Sequence, residues 1–117
     1  MPASELALSL TRIAAEAAAE KSATDIRAFD VSDQLYITDV FVICSITSPP
    51  QAGAVRDEVE DRLREQGVKA VRREGEREAR WVLLDFGEIV VHVQHTEERE
   101  FYALERLWSD CPEVALP

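Results

Sequence analysis

The sequence predicts one mixed α/β domain in the order α-β-β-α-β-β-β-α, with about five strands packed against three helices. Three observations predict it. The run 40–46 reads Val-Phe-Val-Ile-Cys-Ser-Ile, with the β-branched and aromatic density of a central strand buried on both faces. The runs 81–85 and 88–95 flank a short connection and read as a hairpin. Three other segments repeat apolar residues at steps of three and four, the mark of a helix with one buried face. Two connections carry no helix, so the sheet is mixed or partly antiparallel.

The elements follow in order. Residues 4–21 are rich in Ala, Leu and Glu, strong helix formers, and Leu6, Leu10, Ile13 and Ala17 mark one face. Residues 25–31 alternate apolar and polar, as a strand does. After the central strand, Ser48 can cap a helix whose first turn accepts Pro49 and Pro50. Ala52, Val55, Val59 and Leu63 form its core stripe, and Gly67 suits the left-handed position that ends it. A short strand at 69–73 leads into 74–80, the most polar stretch, which reads as a solvated loop. The last helix opens at Thr96, with Glu97 and Glu98 at the positive end of its dipole. Phe101, Leu104 and Trp108 form its apolar face. The domain spans 1–117, with an ordered core over about 4–108 and a short C-terminal tail.

If Phe86 and Gly87 form the hairpin turn, Leu84 pairs with Ile89, Leu83 with Val90, Val82 with Val91 and Trp81 with His92. Opposed residues share a face. One face then carries Val82, Leu84, Ile89, Val91 and Val93, all aliphatic, and belongs to the core. The other carries Trp81, Leu83, Asp85, Glu88, Val90, His92 and Gln94, an apolar centre among polar groups. Two readings stay open: a helix covers this face too, or it is exposed as a docking patch with an aromatic anchor inside a polar rim.

Thirteen Lys and Arg stand against 23 Asp and Glu, a net charge of −10. Nucleic-acid binding through phosphates needs a basic footprint, so little direct nucleic-acid binding is expected. A basic protein partner fits the sign. No apolar run approaches the roughly 18 residues that cross a bilayer, and the N-terminus lacks the pattern of a secretory signal. No membrane contact and a cytoplasmic location are expected. Cys44 reads as a small buried hydrophobe and Cys111 as an incidental tail thiol.

No catalytic, metal or cofactor site is expected. The four glycines, at 53, 67, 75 and 87, form no phosphate-cradling loop. His92 and His95 are three apart on a strand and point to opposite faces, so they do not grip one metal ion. Ser45 and Ser48 lack a nucleophile elbow. Asp39, just before the central strand, is the carboxylate to watch, either as a catalytic acid or as an acceptor of local hydrogen bonds.

Three stretches are distinctive together: Ile37-Thr-Asp-Val-Phe-Val-Ile43, Arg80-Trp-Val-Leu-Leu-Asp-Phe-Gly-Glu-Ile-Val-Val-His92 and Glu98-Arg-Glu-Phe-Tyr-Ala-Leu-Glu-Arg-Leu-Trp108. In these the chain resembles the ribosomal silencing factor family, RsfS, also called Iojap-like, from the first helix to Trp108. The resemblance implies a nucleotidyltransferase-like fold without that reaction, and a homodimer in isolation. It implies binding to the large ribosomal subunit through the basic protein conventionally numbered fourteen, which blocks subunit joining and represses translation. A large-subunit assembly factor acting at the same site, or a divergent metal-dependent nucleotidyltransferase using Asp39, are the alternatives. By resemblance Asp39, Trp81, Leu83, Asp85, His92, Arg99 and Tyr102 match family motifs, and Val90 joins them from the hairpin face. Asp85 and Arg99 have a second reading, as stabilisers of the turn and the last helix. The family usually has Tyr after the Thr-Asp pair, where this chain has Val40.

Overall fold

The computed structural model describes residues 2–35 and 37–116. Ser4 opens α1 (Glu5–Glu20), its side chain accepting a hydrogen bond from the Ala7 N–H. Ser48 does the same for α2 (Pro49–Glu65) with the Gln51 N–H, and Pro49 and Pro50 open the first turn. Each serine thereby satisfies a backbone donor that the helix itself leaves without a partner.

Between and after these helices run β1 (Thr24–Asp30), β2 (Val40–Ile46), β3 (Arg72–Glu74), β4 (Trp81–Asp85) and β5 (Ile89–His95). They form one sheet in the order β1-β2-β5-β4-β3. Only the β2–β5 pairing is parallel; β1–β2, β4–β5 and β3–β4 are antiparallel. The mixed sheet that the sequence predicts is present. Two short helices close the chain, α3 (Thr96–Tyr102) and the single turn α4 (Leu104–Leu107). They are separated by Ala103, which sits in the left-handed region at φ 46°.

The main core lies between the sheet and α1 with α2. Val40, Val42, Cys44 and Ile46 of β2, Ile89, Val91 and Val93 of β5, and Val82 and Leu84 of β4 meet Ala7, Leu10, Ala14, Val55, Val59 and Leu63. The buried stripe of α1 is made mostly of alanines, with Leu10 and Thr11. Leu6, expected on that stripe, is 53% exposed. Its neighbour Ala7 takes the buried position, because the face turns by one residue. Small side chains there leave no gap to fill between helix and sheet.

The hairpin register differs from the expected one. Leu84 pairs with Val91, Leu83 with His92, Val82 with Val93 and Trp81 with Gln94. The Phe86 N–H donates to the Ile89 carbonyl at 2.9 Å, so Gly87 and Glu88 are the two turn residues. Gly87 alone of these has positive φ, at +87°, as the first residue of a II′ turn requires. The Asp85 side chain accepts from the Gly87 N–H at 2.8 Å, which fixes the turn. Moving the turn by one residue moves every partner by two, and side chains alternate with period two. The two faces are therefore the expected ones, although the pairs are not.

Three further expectations are corrected. The third strand begins at Arg72 and not at 69, since only three residues find partners on β4. The last helix opens at Thr96 as expected, capped by the His95 Nδ1 that accepts from the Glu97 N–H, but it breaks at Ala103 into α3 and α4 and does not run on to Trp108. The residues after Trp108 do not trail away. Asp30 N–H donates to the Pro112 carbonyl and Val114 N–H to the Ala28 carbonyl, each at 2.8 Å, while Arg27 grips Glu113 through two hydrogen bonds. Cys111 is buried in a second cluster with Phe29, Val31 and Ile43.

Two outcomes test this arrangement. Cysteines placed at Asp85 and Val90, opposed on the hairpin, should crosslink on oxidation, whereas cysteines at Leu83 and Val90 should not. Ala103→Gly should raise stability by about 0.5–1 kcal/mol in urea unfolding, because glycine enters the left-handed region without steric cost.

Candidate functional site: the second face of the sheet

The face away from α1 and α2 is built in rows by strand pairing. Ser45, Gln94 and Trp81 form one row, Ile43, His92 and Leu83 the next, and Phe41, Val90 and Asp85 the third. The segment α3–α4 covers part of it. Trp81 packs against Tyr102 of α3 with centroids 4.8 Å apart and the rings tilted by 49°. Leu104, Trp108 and Cys111 cover Ile43 and Phe29. Leu83 and Asp85 stay half-buried at the uncovered side. Both sequence readings of this face thus hold in part: a helix covers one side of it and the rest stays open.

An aromatic arc crosses the face. Trp108 meets Phe41 edge-on at 5.2 Å, and Phe41 meets His92 at 4.9 Å. His92 faces Trp81 at 6.0 Å, and Phe101 lies against Tyr102 at 4.9 Å. Such offset and edge contacts add attraction beyond area burial. The arc ends in solvent: Phe101 is 81% exposed and Tyr102 47%. Leu107 of α4 and Ile37 before β2 are also exposed. Phe101, expected on the core face of the last helix, therefore points outward. A seven-residue helix has room for one inward stripe, and Arg99 occupies it.

Arg99 is 5% exposed. Its Nε donates to Glu105 at 2.6 Å and its NH1 to the Ser45 hydroxyl at 3.0 Å. Its NH2 lies 3.3 Å from Asp25. Two donors of the planar fork thereby tie α3 to α4 and β2, a geometry lysine does not offer, and the ion pair with Asp25 adds β1. Gln94 is fully buried, and neither its Oε1 nor its Nε2 has a hydrogen-bond partner among the described residues. A buried polar group without a partner costs about 1–3 kcal/mol, so this face is packed less favourably than the aliphatic one.

His92 is buried, and its Nδ1 accepts from the Trp81 indole N–H at 3.1 Å. That bond assigns the ring hydrogen to Nε2. Burial, which penalises the charged form, pushes its pKa down to about 4 from the ordinary 6.5.

The structure brings Trp81, Leu83, Val90, His92 and Tyr102 together, with Asp85 at the margin beside Arg72. Arg99 lies beneath α3 and Asp39 is engaged elsewhere, its Oδ2 accepting from the Ser4 N–H at 2.9 Å. Among the described residues no group of three His, Cys, Asp or Glu is placed to hold a metal ion. Sequence reasoning missed Phe41 and Phe101 as members of the face. Phe41 becomes visible only when β2 is laid beside β5, since the two odd-numbered residues Phe41 and Ile43 then fall level with Val90 and His92.

The depressed pKa of His92 makes stability depend on pH. Above pH 6.5 the ring is neutral in folded and unfolded chains alike. As pH falls from 6.5 towards 4, the unfolded chain takes up a proton that the folded chain refuses, so stability is lost over that window. Urea unfolding should show a loss of about 2 kcal/mol between pH 7 and pH 5 from this group. His92→Gln, which keeps an acceptor for Trp81, should abolish that component.

The family model "Ribosomal silencing factor during starvation" matches residues 4–117. The ribosomal silencing factor RsfS of Bacillus subtilis is 44% identical over 104 residues, covering 89% of this chain and 88% of that protein. The chloroplastic protein Iojap of Zea mays is 35% identical, over 88% of this chain and 45% of its own length. A crystal structure from Chromobacterium violaceum superposes with a TM-score of 0.83 at 32% identity, covering 86% of this chain and 84% of that one. One from Bacillus halodurans gives 0.80 at 39% identity, covering 92% and 98%. A family match over nearly the whole length, with the same fold at these identities, means that the chain belongs to the RsfS family of ribosomal silencing factors.

Proposed function

We propose that this protein binds the large ribosomal subunit through the protein conventionally numbered fourteen, and that by occupying that surface it keeps the small subunit from joining. The observation that carries the reading is the half-open aromatic face, where Trp81, Leu83, Val90 and Tyr102 surround a buried His92 and Phe101 stands 81% exposed. Central aromatic anchors within a polar rim are the usual source of binding energy in protein interfaces. The net charge of −10 supports a basic protein as the thing bound, because opposite charge speeds encounter and disfavours wrong partners. Membership of a family named for ribosomal silencing supports the ribosome as the assembly concerned.

The mechanism is steric and uses no chemical step, so affinity is its measure. Of the residues that match family motifs, Leu83, Asp85 and Tyr102 make contact directly. Trp81 and His92 hold the patch in shape through the indole-to-imidazole hydrogen bond. Arg99 acts from beneath by fixing α3. In the absence of ribosomes the same exposed apolar side chains favour a homodimer, which places self-association in competition with docking.

Sedimentation with separate subunits, followed by a subunit-joining assay, tests this. The protein should travel with the large subunit alone and reduce joining. Leu83→Glu puts a charge at the centre of the patch without touching the aliphatic core. It should weaken binding by about thirtyfold, equivalent to about 2 kcal/mol, while the domain stays folded. Unchanged binding would mean that another surface docks.

A further inference from the structure

We infer that the exposed edge at residues 69–77 is a second contact surface, one that takes the phosphate backbone of RNA when the aromatic face is docked. The inference rests on the large-subunit reading above and adds a partner to it. Lys69, Arg72, Arg73, Arg77 and Arg80 lie within residues 69–80, against Glu74, Glu76 and Glu78. This segment therefore carries +2 in a chain of −10. β3 has a single neighbour in the sheet, so its outer side is open, and all three of its residues are exposed. An open groove of about 500 Å³ runs along residues 70–77.

Two of the five cations are committed within the domain. Arg73 is paired with Glu60, and Arg80 bonds Glu98 at 2.7 Å. Three keep their binding capacity. Lys69 and Arg77 have no ion pair among the described residues, and Arg72 stands 3.8 Å from Asp85 with its side chain 59% exposed. The position of these charges is fixed relative to the docking face. Arg72 pairs with Asp85 and Glu74 with Leu83, so Arg72 shares the face of Leu83 and Asp85. Gly75, at φ +80°, lies so close to Trp81 that a Cβ there would fall 1.9 Å from the Trp81 carbonyl oxygen. The Ala79 N–H closes the turn on the Gly75 carbonyl at 2.9 Å. The loop bearing Arg77 is thus pinned to the strand bearing Trp81.

Charge decides the kind of partner. A chain of −10 is repelled by RNA over most of its surface, and ribosomal surface is largely RNA. A positive edge beside the docking face is placed where that repulsion is relieved. Contacts of Lys and Arg with phosphate oxygens orient a protein without reading sequence, and an open groove lined mostly by charged side chains, with Val71 its one large apolar residue and no aromatic anchor, suits them better than it suits a folded protein.

The test replaces Lys69, Arg72 and Arg77 together with Gln and measures binding to whole large subunits and to isolated protein fourteen across a salt series. All three side chains are exposed, so thermal unfolding should be unchanged. Affinity for the subunit should fall about tenfold or more, and the slope of log K against log salt should become shallower by about 2–3, close to one per lost phosphate contact. Affinity for the isolated protein should not change. The charge-keeping variant Lys69→Arg, Arg72→Lys, Arg77→Lys should retain the wild-type slope. An equal loss on the isolated protein would overturn the inference by making this edge part of the protein contact. An unchanged subunit slope would overturn it by showing no phosphate contact. Failure of the wild type to bind subunits at all would overturn the docking reading, and this inference with it.

Discussion

Val40–Ile46 and Ile89–His95 lie side by side and parallel through seven residue pairs, and that pairing organises the whole molecule. Parallel strands cannot be joined by a tight turn. The intervening chain has to cross over, and here it does so through α2 before returning by way of β3 and β4. The central position of the pair buries β2 and β5 on both sides. Their even and odd residues must therefore satisfy two different environments. The pairing also sets Ser45 beside Gln94, Ile43 beside His92 and Phe41 beside Val90, so both faces are assembled from distant segments in one step.

The two environments are physically unlike. Towards α1 and α2 the strands present almost only aliphatic side chains and Cys44, whose burial is the main favourable term in folding. Cys44 fits that role: complete burial pushes its thiol up to about 12, so it stays neutral. Towards α3 the strands present His92, Gln94 and Ser45, all buried. α3 is too short to hold itself there by propensity. Arg99 supplies the attachment through Glu105 and Ser45, charge-assisted bonds worth about 1.5–3 kcal/mol each. The aliphatic side thus carries most of the stability, and the other side holds buried polar atoms that have no hydrogen-bond partner among the described residues.

Charge adds a third element to this division. The acidic surplus is spread over the helices and the α3 region, where Glu97, Glu98 and Glu100 cluster near Phe101. Five of the 13 Lys and Arg fall within residues 69–80, on the far edge strand and its loop. A partner meeting the aromatic face would find negative charge on one flank and positive charge on the other. Such a dipolar arrangement orients an approaching ligand as well as attracting it.

Local chemistry made much of this legible in the sequence. The serine cap at Ser48, the bounds of β2, the faces of the hairpin and the family motifs all depend on residues close together along the chain. Face identity survived an error in register because alternation has period two. What the sequence could not decide depended on contacts between distant segments. The turn moved to Gly87 and Glu88, where the Asp85 carboxylate, Phe86 and Ile89 could bond together. The chain after Trp108 found β1, which pairs it through Asp30 and Ala28. Arg99 went under α3 and Phe101 into solvent, because a buried guanidinium needs the acceptors that Ser45 and Glu105 supply and the opposite charge of Asp25. Those three residues are scattered along 80 positions of sequence, and only the folded sheet brings them within reach of one side chain.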